Sequence, residues 1–230
     1  MEGLHEVLLM DAFINPEVIP HNVTHAFLVS ILLIVAALTV KGSLRLVPRG
    51  FQNFMEVLIE QILKLADDTI GLKWSRSLFP FICTIFLFIL VANLMGLIPG
   101  FMAATSNVNT NAAMAVPVFL MYNFYGIKVH GVHYLNHFLG PIRSLAGLPL
   151  MIMMFFIEII GHFVRPITLT VRLFGNMTGK HILLLVLGII SPAVIPGVIL
   201  GLGLLVSVVQ ALVFTLLTTC YFAGAVEEAH

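Results

Sequence analysis

The chain has 230 residues, 60% of them hydrophobic and only 10% charged, and its 11 basic residues balance 11 acidic ones. A soluble domain needs about 25% charged residues to cover its surface, so a mean hydropathy of +1.07 points to a protein whose solvent is mostly lipid. Soluble enzymes are excluded, and with no basic excess so are nucleic-acid partners. Cys83 and Cys220 both lie in apolar runs, which leaves no disulfide scaffold and no four-ligand zinc site.

The N-terminal residues 1–21 read as a mature acidic leader. Glu2, Glu6 and Asp11 stand where a cleavable signal needs Lys or Arg, and the apolar patch from Val7 to Met10 is too short. Crossing a hydrocarbon core takes about 20 mostly apolar residues. The first such segment covers 22–40 and is closed by Lys41 and Arg45. Over 48–71 the pattern changes: Phe51, Phe54, Met55, Leu58, Ile59, Ile62, Leu63 and Leu65 recur at helical spacing, with Gln52, Glu56, Glu60, Lys64 and Asp67 opposite. This is an amphipathic helix that either lies at the interface, where a partner can dock, or packs on its own chain.

A second span covers 78–98, ended by Pro99 and Gly100, and a third, shorter one covers 111–127 and contains Pro117. The last third is unusual in length. Residues 148–190 and 193–226 contain no convincing turn, and as helices they would be about 65 Å and about 51 Å long, so each is either broken or strongly tilted. Ser191, Pro192, Pro196 and Gly197 mark a sharp turn between them, which predicts an antiparallel hairpin. The fold class is therefore an all-α polytopic membrane protein forming a single membrane domain over 1–230, with about five embedded helices and one amphipathic helix. Lys41, Arg45, Arg49, Lys64, Lys73 and Arg76 occupy the first long loop, and Lys128 and Arg143 follow the third span. Basic loops stay cytoplasmic, so the N-terminus is predicted outside and the C-terminus inside.

The stretch from Glu158 to His181 carries Glu158, His162, Arg165, Arg172, Asn176, Lys180 and His181 in an otherwise apolar segment. Four charged residues facing lipid would cost roughly 10 kcal/mol, so they must face protein or water. At 100° per residue, all but His181 fall within about 80° of Arg172 on one face. Glu158 can pair with His162 or Arg165, and Arg165 and Lys180 can also snorkel to an interface. Arg172 has no such option: Glu158 is about 21 Å away along the helix, and every other acid lies in a loop, a terminus or the amphipathic segment. Its carboxylate must come from another subunit. A fixed arginine cannot relay protons, but it can force a mobile carboxylate to release one.

The run Arg172-Leu173-Phe174-Gly175-Asn176-Met177, with Pro166 before it, resembles the signature of subunit a in the membrane sector of F-type ATP synthases. Asn93-Leu94-Met95-Gly96-Leu97-Ile98-Pro99-Gly100, the Thr/Asn-rich turn from Thr105 to Asn111, Gln210 and the Glu227-Glu228 ending agree with it. The resemblance implies two long, inclined C-terminal helices against a rotating ring of c subunits, with b-subunit stalk partners, in the cell (inner) membrane. It also implies a non-catalytic stator whose two half-channels load and unload the ring carboxylates, and it implies no cofactor. It gives ion-translocation positions to Arg172, Glu158, Asn176, His181 and Gln210, around which Arg165, His162, Lys180 and Ser207 form a possible outer shell. Gln210 can equally be a helix–helix hydrogen bond, with Ser207 and Gly203 on its face favouring close packing.

Lys180, beside His181, and Gly203 depart from the family pattern. We expect Lys180 to point towards the outer interface and leave the path to His181. The spacing of His130, His133 and His137 does not match a metal-binding motif. A self-contained secondary transporter using the Arg/Glu stripe is the competing reading, although no internal repeat is visible. An intramembrane hydrolase lacks a nucleophile-and-base constellation.

Overall fold

The computed structural model describes residues 20–42, 44–98, 101, 103–131, 148–190 and 194–226. The acidic leader, His133, His137, the Ser191-Pro192 turn and Glu227-Glu228 lie outside the described residues. Within them the chain forms six α-helices and a short 3₁₀ turn, and no strand: α1 His21–Gly42, α2 Phe51–Ile70, α3 Leu72–Met95, the 3₁₀ turn Ala104–Ser106, α4 Val108–His130, α5 Leu148–Ile190 and α6 Val194–Val226. All except α2 and the 3₁₀ turn are long and apolar enough to cross a membrane.

The amphipathic α2 belongs to the chain's own core. Ile62, Ala66 and Ile70, one turn apart, pack with Leu78 and Ile82 of α3 and with Phe222, Ala225 and Val226 of α6. Each large aliphatic there that is withdrawn from water contributes about 1.5–3 kcal/mol. Its first turn differs from the periodic expectation. Phe51 and Phe54 are exposed, whereas Gln52 is buried. The Gln52 amide accepts from the Arg45 backbone N–H at 3.1 Å and donates to the Arg45 carbonyl at 3.0 Å, which ties the preceding loop to the helix.

The chain turns from α2 into α3 at Gly71, whose φ of 87° lies in the left-handed region that favours glycine. Across this joint the Ser75 hydroxyl donates to the Asp67 carboxylate. Helix α3 therefore starts at Leu72, before the expected span, and Lys73 and Arg76 are helical rather than in a loop. The Lys73 ammonium sits 5.8 Å from the Trp74 ring centroid. The Trp74 ring in turn meets Tyr125 edge-on at 6.1 Å.

Beyond α3 the chain doubles back, and buried polar groups hold the turn. Thr105 donates to Asn93 Oδ1 at 2.6 Å, and the Asn111 amide donates to the Thr105 carbonyl at 2.8 Å, all three residues being fully buried. Asn107 caps α4 by accepting from the Asn109 N–H at 2.8 Å. The return path passes so close that a Cβ on Gly96 would lie 2.4 Å from Ala103 Cβ and 2.9 Å from its Cα. Only glycine fits there.

Helix α4 runs through Pro117, and α5 runs through Pro166 as one helix of 43 residues, about 65 Å long at 1.5 Å per residue. Helices α5 and α6 are antiparallel: Asn176 meets Gln210, and further along α5 Lys180 meets Gly203, earlier in α6. Large apolar side chains remain outside. Phe27, Ile34 and Leu38 on α1 and Phe156, Ile160, Phe163, Ile167 and Val171 on α5 are exposed, as expected of surfaces covered by lipid or by other subunits.

Gly96→Ala should destabilise the α3–α4 turn by about 1–3 kcal/mol, because the clash is with main chain that cannot yield. Thermal unfolding of the detergent-solubilised protein checks this. An unchanged midpoint would show that the close approach carries no energetic weight.

Candidate functional site

Helix α5 carries the polar stripe, and its periodicity separates two faces. Leu169, Leu173 and Met177 are buried, the first two in the core shared with α3, α4 and α6, while Arg172 and Asn176 look outward from the same turns. The stripe resolves into three groups along the helix.

The first group is charged. Glu158 Oε1 lies 3.6 Å from His162 Nε2 and 4.0 Å from the Arg165 guanidinium, with Glu158 and Arg165 each about one third exposed. His162 is buried, and its Nδ1 is 3.0 Å from the Tyr122 hydroxyl of α4. The Arg165 guanidinium carbon sits 5.7 Å from the Tyr122 ring centroid and 5.3 Å from that of Tyr221 on α6. Arg165 thus takes the paired position next to Glu158 rather than snorkelling away.

Arg172 follows, two turns on. It is exposed, and among the described residues it forms neither an ion pair nor a side-chain hydrogen bond.

The third group is polar, with Asn176 at the surface and its partners Gln210 and Ser207 on α6 buried. Asn176 Nδ2 donates to Gln210 Oε1 at 2.5 Å, and Gln210 is 4% exposed with its Nε2 lacking a partner among the described residues. Ser207, fully buried, donates to the Gly203 carbonyl at 2.7 Å and approaches the Asn93 backbone carbonyl at 3.4 Å. The RLFGNM turn of α5 is thereby linked, through α6, to the buried turn after α3. His181 is partly buried, on the side of α5 away from Arg172.

Lys180 differs from expectation. It does not reach outward: its side chain is 7% exposed, and its Nζ has no hydrogen-bond partner among the described residues. The reason is Gly203. A Cβ at that position would stand 3.1 Å from Lys180 Cδ and 2.8 Å from Leu97 Cδ2, so the missing side chain is the room the lysine stem uses. Lys180 and Gly203 form one packing unit.

Tyr122 and Tyr221 are contributors that reading the sequence overlooked. Each sits in an apolar helix without a polar periodicity. The available signal was that a buried phenol needs a hydrogen-bond partner or a cation over its ring. Among the described residues no cluster of His, Cys, Asp and Glu could hold a metal ion. A cavity of about 450 Å³ between α1 and α2, lined by Arg45, Arg49 and Gln52, includes no stripe residue.

Comparison with known proteins gives this arrangement a context. Residues 23–223 match the family described as ATP synthase A chain. The chain is 49% identical over 208 residues to ATP synthase subunit a of Trichlorobacter lovleyi, covering 90% of this chain and 88% of that protein. It is 48% identical to ATP synthase subunit a of Geobacter sulfurreducens, with the same coverage. To the Geotalea daltonii subunit a it is 50% identical over 203 residues, covering 88% of this chain and 86% of the relative.

Gly203→Leu should destabilise the α5–α6 pair by about 1–3 kcal/mol, since the new side chain needs the volume held by the Lys180 stem. Lys180→Ala in the same chain should recover part of that loss. A double-variant cycle by thermal unfolding measures the coupling, and strictly additive effects would rule the shared packing out.

Proposed function

The chain belongs to the ATP synthase A chain family, and from that premise we propose that it is the stator of the membrane sector, with two half-channels serving a ring of c subunits. Membership in that family carries the coarser statement: this is a membrane component of the synthase complex that takes part in ion transport. The finer reading concerns how its residues work.

The observation that carries the proposal is Arg172, exposed on α5 with no anion paired to it among the described residues. A guanidinium keeps its charge at any physiological pH, so it acts as a fixed positive site rather than as a proton carrier. A ring carboxylate brought to about 4 Å would be favoured in its ionised form by about 4 kcal/mol at an effective dielectric of 20. That is enough to drive proton release. A carboxylate passing Arg172 must therefore be unloaded, and one that has turned away from it can be loaded again. The same charge stops a proton from hopping directly between the two sides.

The remaining stripe residues fit either side of that barrier. Glu158 sits on the side predicted to be cytoplasmic and offers a proton-accepting carboxylate with cationic neighbours. Asn176 and Gln210 line the approach on the other side without adding charge, and His181, able to exchange protons near neutral pH, serves the outer path. Lys180, folded onto Gly203, lies beside this outer path with its Nζ buried. Ions would enter on one side, ride the ring and leave on the other, while a peripheral b-subunit stalk holds this subunit still. The N-terminus would be outside and the C-terminus in the cytoplasm, in the cell inner membrane. Family membership sets aside a self-contained transporter.

Arg172→Ala should abolish ATP synthesis and ATP-driven proton pumping while the complex still assembles, as followed by fluorescence quenching in inverted vesicles. Full pumping in that variant would contradict the proposal. Glu158→Gln should slow transport without abolishing it, and wild-type rates would remove Glu158 from the path.

A further inference from the structure

Around Glu158, three helices contribute side chains whose roles go beyond a simple ion pair. From α5 itself come His162 and Arg165; α4 supplies Tyr122, and α6 supplies Tyr221, whose ring centroid is 6.0 Å from that of Tyr122. Tyr122 is the member that touches both cations. It is 1% exposed, so its hydroxyl must be satisfied inside the protein; His162 Nδ1 lies 3.0 Å from it, and the Asn123 and Arg165 side chains are also within hydrogen-bonding reach. The two rings also lie nearly alongside, 5.6 Å apart and tilted by 31°.

We propose that Tyr122 is the positioning residue of the Glu158 site, aiming His162 with its hydroxyl and holding Arg165 with its ring. The inference rests on the reading of Glu158 as an ion-path carboxylate. The hydrogen bond made by one imidazole nitrogen sets the tautomer and direction of the other. With Nδ1 tied to the phenol, Nε2 is the atom turned towards Glu158, at 3.6 Å. On the ring side, the Arg165 guanidinium stands between two tyrosine faces, each within the distance at which a cation is attracted to a π-face. Glu158 consequently faces one permanent cation and one that titrates, and a single tyrosine sets the position of both. Arg165 gives the carboxylate a permanent positive neighbour, and His162 gives it one whose charge varies with pH.

The hydroxyl and the ring can be removed separately. Passive proton conductance and ATP-driven pumping would be measured on the assembled complex in inverted vesicles, over about pH 5 to 8 on the cytoplasmic face. The wild-type conductance profile should carry an inflection in the histidine range. Tyr122→Phe, which keeps the ring over Arg165, should move that inflection, and His162→Gln should remove it, with the double variant indistinguishable from His162→Gln alone. Tyr122→Leu should lower conductance roughly three- to tenfold at every pH, as should Arg165→Gln. Immunoblotting of the assembled complex separates this from failed assembly, and Tyr122→Phe keeps the test decisive if Tyr122→Leu does not assemble.

A wild-type profile for Tyr122→Phe, or effects of Tyr122→Phe and His162→Gln that simply add, would overturn the proposal. So would any further change from Tyr122→Phe in a Glu158→Gln background. Wild-type rates in Glu158→Gln alone are a different result: they would refute the reading of Glu158 itself.

Discussion

A guanidinium halfway along an apolar helix must find an anion, water or an exit to the interface, because leaving it against hydrocarbon costs about 2.5–3.5 kcal/mol or more. Among the described residues Arg172 has no anion to pair with. Glu158 is about 21 Å away and already faces Arg165 and His162, and the described acids of α2 lie in another part of the fold. The rest of the molecule can be understood from this requirement. A long α5 is needed to carry polar groups on both sides of the arginine along one face, and α4 and α6 are needed to cover the opposite face with Leu169, Leu173 and Met177 so that Arg172 points outward.

Rigidity follows from how that helix is held. The turn after α3 is fixed by Asn93, Thr105 and Asn111, and Ser207 carries its position across to α6. From there the Asn176–Gln210 bond reaches α5 one turn from the arginine. Buried hydrogen bonds of this kind specify one register, since a slipped helix pair would leave amides unpaired in an apolar interior. At the other end, Tyr122 and Tyr221 perform the corresponding task for Arg165 and Glu158 with aromatic faces. Arg172 thus lies along α5 between a hydrogen-bonded contact to α6 and an aromatic one to α4 and α6.

Much of this was legible from residue patterns. The apolar runs marked the embedded helices, helical periodicity put the charges on one face, and the absence of a nearby acid singled out Arg172. What could not be read needed two helices at once. An amphipathic pattern in α2 says that a face will be covered but not by what, and the cover is α3 and α6 of the same chain. Gln52 fell on the polar face by periodicity, yet it is buried because it bonds the Arg45 backbone. Lys180 and Gly203 each looked anomalous alone, and only the register of the hairpin shows that one accommodates the other. Tyr122 gave only the general signal that a buried phenol needs a partner, and nothing in the residue pattern names that partner until a histidine and an arginine are found against it.

The central claim is that a carboxylate from another subunit supplies what Arg172 lacks, and disulfide cross-linking in the assembled complex tests it most directly. Arg172→Cys would be paired in turn with single cysteines along the outer helix of the c subunit. The account expects efficient cross-links at positions within a turn of the ion-binding carboxylate and a steep fall on either side. Cross-links of equal yield along the helix, or none near the carboxylate, would contradict it.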